Sequence, residues 1–186
     1  MTEPGGAEQE WQQWAEKRTA ILDCNIFFQA AISGQGPAAA LVRDLEADRF
    51  QLIISDEVVR EVKDVLNRPR LREKFPALTD ERADGLIALI EAKGVRYENV
   101  PFVFEYARDP NDEKYLNLAA QSQAGSLVTR DKDLLSLAES AMFREQCPRT
   151  TILDPGEFRR ELTRESIQKP EPEPEQQRQR GPSLGR

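Results

Sequence analysis

No histidine occurs anywhere in the 186-residue chain. That absence removes Ser-His-Asp and Cys-His catalysis, imidazole acid–base chemistry and every zinc site that needs a ring nitrogen. Cysteine is nearly as scarce, since Cys24 and Cys147 are too few for a disulfide framework or a four-cysteine zinc site. No stretch approaches the ~20 apolar residues of a spanning helix. Met1 to Arg18 holds no apolar run of the kind a signal peptide carries, so the chain reads as cytoplasmic and without a membrane partner. Excess positive charge is missing as well. The formal charge of −7 argues against nucleic-acid binding through bulk charge and leaves that task to local basic patches. Carboxylates, Lys/Arg, hydroxyls or a hard metal are what remain for chemistry.

What is present is an alternation of short apolar runs with amphipathic segments. Ala20-Ile21-Leu22, Leu52-Ile53-Ile54, Leu127-Val128 and Ile152-Leu153 read as buried strands. Between them, Ala38, Leu41, Val42 and Leu45 mark one helix, and Val58, Val59, Val62, Val65 and Leu66 a second. Thr79 caps a third, striped by Ala83, Leu86, Ile87 and Ile90, with Gly94 as its stop. Asp109-Pro110-Asn111-Asp112 opens a fourth, which Gly125 ends, and Leu134 to Ala138 form another. Residues 95 to 103 are mixed, part strand and part link. Strands alternating with helices predict an α/β domain, a mostly parallel sheet covered on both faces, over residues 19–162. Residues 1–18 form a polar arm with Trp11 and Trp14 on one stripe, and residues 163–186 form a tail too poor in apolar side chains to order itself.

In such sheets, sites form outside the carboxyl ends of the strands. Asp23 and Asp131 lie at two of those ends, Asp112 lies in the first turn of the helix before the Asp131 strand, and Glu61 sits on or beside the apolar face of its helix. Taken singly, each has an ordinary explanation: Asp23 as a turn former, Asp109 and Asp112 as cap and dipole residues, Glu61 as a stem reaching solvent, and Asp133 as the cap of the helix it begins. Jointly they are harder to dismiss. Carboxylates packed together repel and take up protons unless a cation neutralises them, and oxygen ligands select Mg²⁺ or Mn²⁺. Such a metal activates water and polarises a phosphoryl oxygen, so phosphodiester hydrolysis is the matching chemistry. Arg68, Arg70, Arg72 and Lys74 offer a basic rim for phosphate.

Asp23-x-Asn25 after the first strand, Ser55 with Glu61 six residues on, Asp109-Pro-x-Asp112, and Thr129-x-Asp131-x-Asp133 together resemble a PIN-domain ribonuclease over about residues 19 to 155. The Asp-Pro-x-Asp version is similar to the toxin branch of bacterial toxin–antitoxin systems. The resemblance implies a three-layer α/β/α domain that binds Mg²⁺ or Mn²⁺ and cleaves single-stranded RNA. It implies Asp23, Glu61, Asp112 and Asp131 as the metal-site carboxylates, with Asp133 a fifth member. Asn25, Ser55 and Thr129 then position those carboxylates and the phosphate, with Asp109 assigned to capping. An antitoxin partner and a homodimer are implied too. Housekeeping RNA processing and a non-catalytic interaction module are the alternatives, while a phosphatase with Asp23 as nucleophile is weakened by Asn25, where a second Asp would stand.

Overall fold

The computed structural model describes residues 18–106 and 108–168, with side chains as far as Arg164. Trp11, Trp14 and residues 169–186 therefore lie outside the described residues. Five strands form one parallel sheet: β1 (Thr19–Leu22), β2 (Gln51–Ser55), β3 (Gly94–Tyr97), β4 (Ser126–Val128) and β5 (Thr151–Leu153). Their spatial order is β3-β2-β1-β4-β5. Helices enclose the sheet in a three-layer α/β/α arrangement, as the alternation of patterns predicts. Each parallel neighbour requires a crossover, and helices supply it: α1 (Cys24–Ser33) and α2 (Gly36–Glu46) before β2, then α3 (Asp56–Leu66), α4 (Pro69–Lys74) and α5 (Asp80–Lys93) before β3. A 3₁₀ turn (Pro110–Asp112) and α6 (Glu113–Ser122) precede β4, α7 (Lys132–Ser136) and α8 (Ala141–Gln146) precede β5, and α9 (Pro155–Gln168) follows it. None of these helices is long and apolar enough to cross a membrane.

β1 and β2 are almost wholly buried, which is why their sequences are continuous apolar runs rather than alternating ones. Phe50 and Phe158 meet edge to face at 5.3 Å and fasten α9 beside the entry to β2. Asp44, a buried carboxylate on α2, is held by Arg49 at 2.7 Å and by Arg159 of α9 at 2.8 Å. Such pairing is what makes burial of a charge tolerable.

Some local details differ from the expected pattern. Residues 24–33, given no element by the sequence pattern, form a helix: α1 starts at Cys24, directly after Asp23, and buries Cys24, Phe27 and Ala31 on one face at helical spacing. Gly94 does end α5 as expected, its N–H bonding the Ile90 carbonyl, but from an extended conformation with φ −78°. It is glycine because a Cβ would lie 2.5 Å from Ile54 Cδ1 and 2.7 Å from the Ile90 carbonyl oxygen. The left-handed residue that closes α6 is Gln123, not Gly125. The last helix runs to Gln168, across the boundary expected near residue 162.

Candidate functional site

The chain builds β1, β2 and β3 outward in one direction, then returns to the other side of β1 to place β4 and β5. The strand order reverses between β1 and β4, and the crevice at such a switch point is where open parallel sheets bind ligands. Leu22 pairs with Val128 at its mouth. The residues that follow, Asp23 and Thr129, therefore emerge side by side.

Both are buried, at 4% and 0% exposure, so their polar atoms must find partners inside. The Thr129 hydroxyl donates to Asp23 Oδ2 at 2.7 Å and accepts the Asp131 N–H at 2.9 Å, joining the two strand-end loops through one oxygen. Asp23 Oδ1 accepts the Asn25 N–H at 3.1 Å, which caps α1. Burial nonetheless raises the Asp23 pKa, against the lowering by Thr129 and Asn25, with Glu61 adding repulsion.

Asp131, rather than Asp133, caps α7: its Oδ1 accepts the Asp133 N–H at 2.7 Å and the Leu134 N–H at 3.3 Å. Asp133 is exposed and pairs with Arg108 at 3.0 Å. Asp109 caps the 3₁₀ turn through the Asn111 N–H at 2.8 Å, and Ser55 caps α3 through the Val58 N–H at 3.3 Å. Asp112 makes no capping bond. Its carboxyl is pushed up to about 7, first by burial and then by repulsion from Asp109, Asp23 and Asp131, with Lys114 opposing. Those three repulsions bring Asp112 into the same electrostatic neighbourhood as both strand-end acids.

Glu61 meets partners that sequence pattern could not name. Tyr115, buried in α6, donates its hydroxyl to Glu61 Oε2 and accepts the Cys24 N–H at 2.9 Å. Lys114 Nζ lies 3.0 Å from Glu61 Oε1. One tyrosine oxygen thus ties the start of α1 to α3. Its pKa stands well above the ordinary range, chiefly through burial and then through Asp23 and Glu61, which keeps the donating proton in place. Burial also pushes the Cys24 thiol up to about 12, so this cysteine is no nucleophile. The missed residues are Lys114 and Tyr115, and the one available signal was the carboxylate of Glu61 on an apolar face, which needed a partner.

Would these residues suit a hard divalent cation? The donors are all oxygens, and the Asp112 and Asp23 carboxyls, raised chiefly by burial, are raised further by repulsion from neighbouring acids. The buried hydroxyl of Tyr106 lies within electrostatic reach of Arg108, Asp133 and Asp112. Among the described residues no three acidic or cysteine side chains are gathered into a ready cage. Mg²⁺ does not require one, because it keeps several waters and binds through one or two carboxylates plus substrate phosphate. The set fits such an ion. Of the basic rim, Arg72 is committed to Asp80, Asn67 and the Leu66 carbonyl, and Lys74 lies over the Phe75 ring.

A groove of about 310 Å³ among α1, α2 and α5, lined by Ala31, Gly34, Val42 and Leu86, carries none of these acids.

The family model described as PIN domain matches residues 19–133. An uncharacterized protein of Methanocaldococcus jannaschii, MJ1680, is 26% identical over 127 residues, covering 68% of this chain and 79% of that protein.

Proposed function

This chain belongs to the PIN domain family, whose members are generally nucleases, and from that premise we propose that it is a metal-dependent endoribonuclease cutting single-stranded RNA. The observation that carries the reading is the convergence of Asp23, Asp112 and Asp131 at the switch point, where Asp112, raised first by burial to about 7, also feels the repulsion of Asp23 and Asp131. Asp23, Asp112 and Asp131 would hold Mg²⁺ or Mn²⁺, with Glu61 beside them and Asp133 at the rim. When bound, the ion supplies a more acidic water and neutralises charge on the phosphate. The chain's own part is orientation: Thr129 fixes Asp23 against the Asp131 loop, and Tyr115 fixes Glu61 against α1. The Asn25 N–H holds Asp23 at the start of α1, and Ser55 caps the helix that carries Glu61. In the reaction, water oxygen bonds to phosphorus as one P–O ester bond breaks; the water's proton leaves toward a carboxylate or solvent, and the departing ribose oxygen takes up a proton from solvent.

The specific setting we propose is the cytoplasmic toxin of a toxin–antitoxin pair, acting as a homodimer. Its support is the Asp109-Pro110-Asn111-Asp112 helix start, similar to that branch. The test of the activity is cleavage of single-stranded RNA with Mg²⁺ or Mn²⁺. Asp23→Asn and Asp131→Asn each lower the rate by ~100-fold or more. Cleavage that survives both substitutions sinks the catalytic reading. For the toxin setting, induced expression arrests growth, and harmless expression together with no antitoxin-like reading frame beside the gene points to RNA processing instead.

A further inference from the structure

Lys114 is a lysine placed among acids, and its surroundings define what its charge can reach. Its ammonium lies 3.0 Å from Glu61 Oε1, donates to the Asn111 carbonyl, and stands 5.1 Å from the centroid of the Tyr115 ring. Asn111 belongs to the turn that carries Asp112, so Lys114 is anchored to the Glu61 carboxylate and to the backbone of the Asp112 turn at once. Its charge opposes the repulsion on Asp112 and the raised pKa of Cys24. An ammonium has three donors. Glu61 and Asn111 use two, and the side chain stays 20% exposed. One donor is left for a ligand.

We propose that Lys114 is a phosphate contact for the RNA strand, held in place by Glu61, and that its charge works against the metal at the neighbouring carboxylates. The inference rests on the nuclease reading above. In a chain of net charge −7, an RNA phosphate approaching this crevice needs a fixed cation beside the acids. Arg72 and Lys74 are committed elsewhere. Lys114 is the cation that Glu61 fixes within the site itself. The same fixed charge repels an incoming dication and occupies Glu61, so phosphate binding and metal binding respond to it with opposite sign.

Lys114→Gln tests this on the full chain with two binding measurements that need no turnover. Mn²⁺ alone, titrated by calorimetry, binds the variant about fivefold to tenfold more tightly, because one repelling charge has gone and Glu61 is released. A labelled single-stranded oligoribonucleotide in EDTA binds about tenfold more weakly by anisotropy, with a shallower salt dependence. Lys114→Arg restores much of the RNA affinity. Unchanged RNA affinity in Lys114→Gln overturns the proposal, as does metal affinity that stays level or falls. Loss of both affinities in the glutamine and the arginine variants alike marks Lys114 as structural and overturns it too. Failure of the wild-type chain to bind Mn²⁺ or RNA at all would instead count against the nuclease reading.

Discussion

Ionised Asp112 faces three other carboxylates, and its proton therefore reports on the whole site. Its carboxyl stands at about 7 in the folded chain against an ordinary 3.8. Between those values the folded state keeps a proton that the unfolded state has lost, so this group makes stability fall as pH rises through the window. Asp112→Asn removes the penalty. In metal-free protein at pH 8 the variant melts ~2–4 °C higher than wild type, about 1 kcal/mol once solvent screening at this half-buried position is allowed for. At pH 4, where wild-type Asp112 is already neutral, the two melt together. Calorimetric scans in EDTA at both pH values check this, and an equal gap at both would refute the electrostatic account. The same proton competes with any cation, so Mn²⁺ affinity rises with pH through about 7.

At the scale of elements, the carboxyl edge of the sheet is set by where helices begin. α1, α3, α7 and the 3₁₀ turn before α6 each start at a side-chain cap, namely Asp23, Ser55, Asp131 and Asp109. Three of those caps are also acids of the candidate site or its margin, so the ordinary structural reading and the functional one describe the same atoms. The α5-to-β3 junction offers an independent test of packing. Gly94→Ala forces a Cβ against Ile54 and the Ile90 carbonyl and costs about 1–3 kcal/mol, a fall in Tm of ~2–10 °C. Gly85→Ala, in α5 with open space around the new methyl, raises stability by about 0.5–1 kcal/mol instead. Thermal melts of the pair separate steric need from helix propensity, and equal effects would show that Ile54 yields freely.

For the whole molecule, a bound cation adds stability because the unfolded chain has no gathered carboxylates to offer. At a hundred times its Kd, Mn²⁺ contributes about 2.7 kcal/mol. For a domain of this size that is a Tm rise of ~5–10 °C, reversed by EDTA. A melt unaltered by Mn²⁺ or Mg²⁺ would speak against a metal site at the switch point. The gain shrinks in Asp131→Asn, which loses a ligand while keeping a side-chain oxygen able to cap α7.

Much of this architecture was legible in the residues alone. Continuous apolar runs located β1, β2, β4 and β5, and periodic stripes with cap residues located α2, α3, α5 and α6. The acids at the strand ends followed from the same pattern, because a parallel sheet delivers its strand termini to one edge. α1 escaped because Ile26-Phe27-Phe28 is continuous rather than periodic, and a run of three apolar residues fits strand, loop or helix equally. Asp131 and Asp133 could not be told apart as caps, since two residues separate competing registers that only backbone geometry distinguishes. The sequence by itself determined an oxygen-rich, histidine-free edge of a parallel sheet. Only the tertiary structure decided how its charges are balanced, joining Glu61 of α3 to Tyr115 and Lys114 of α6 and Asp23, just after β1, to Thr129, just after β4. Hydrogen bonds and ion pairs act over a few ångströms in space, and separation along the chain carries no record of them.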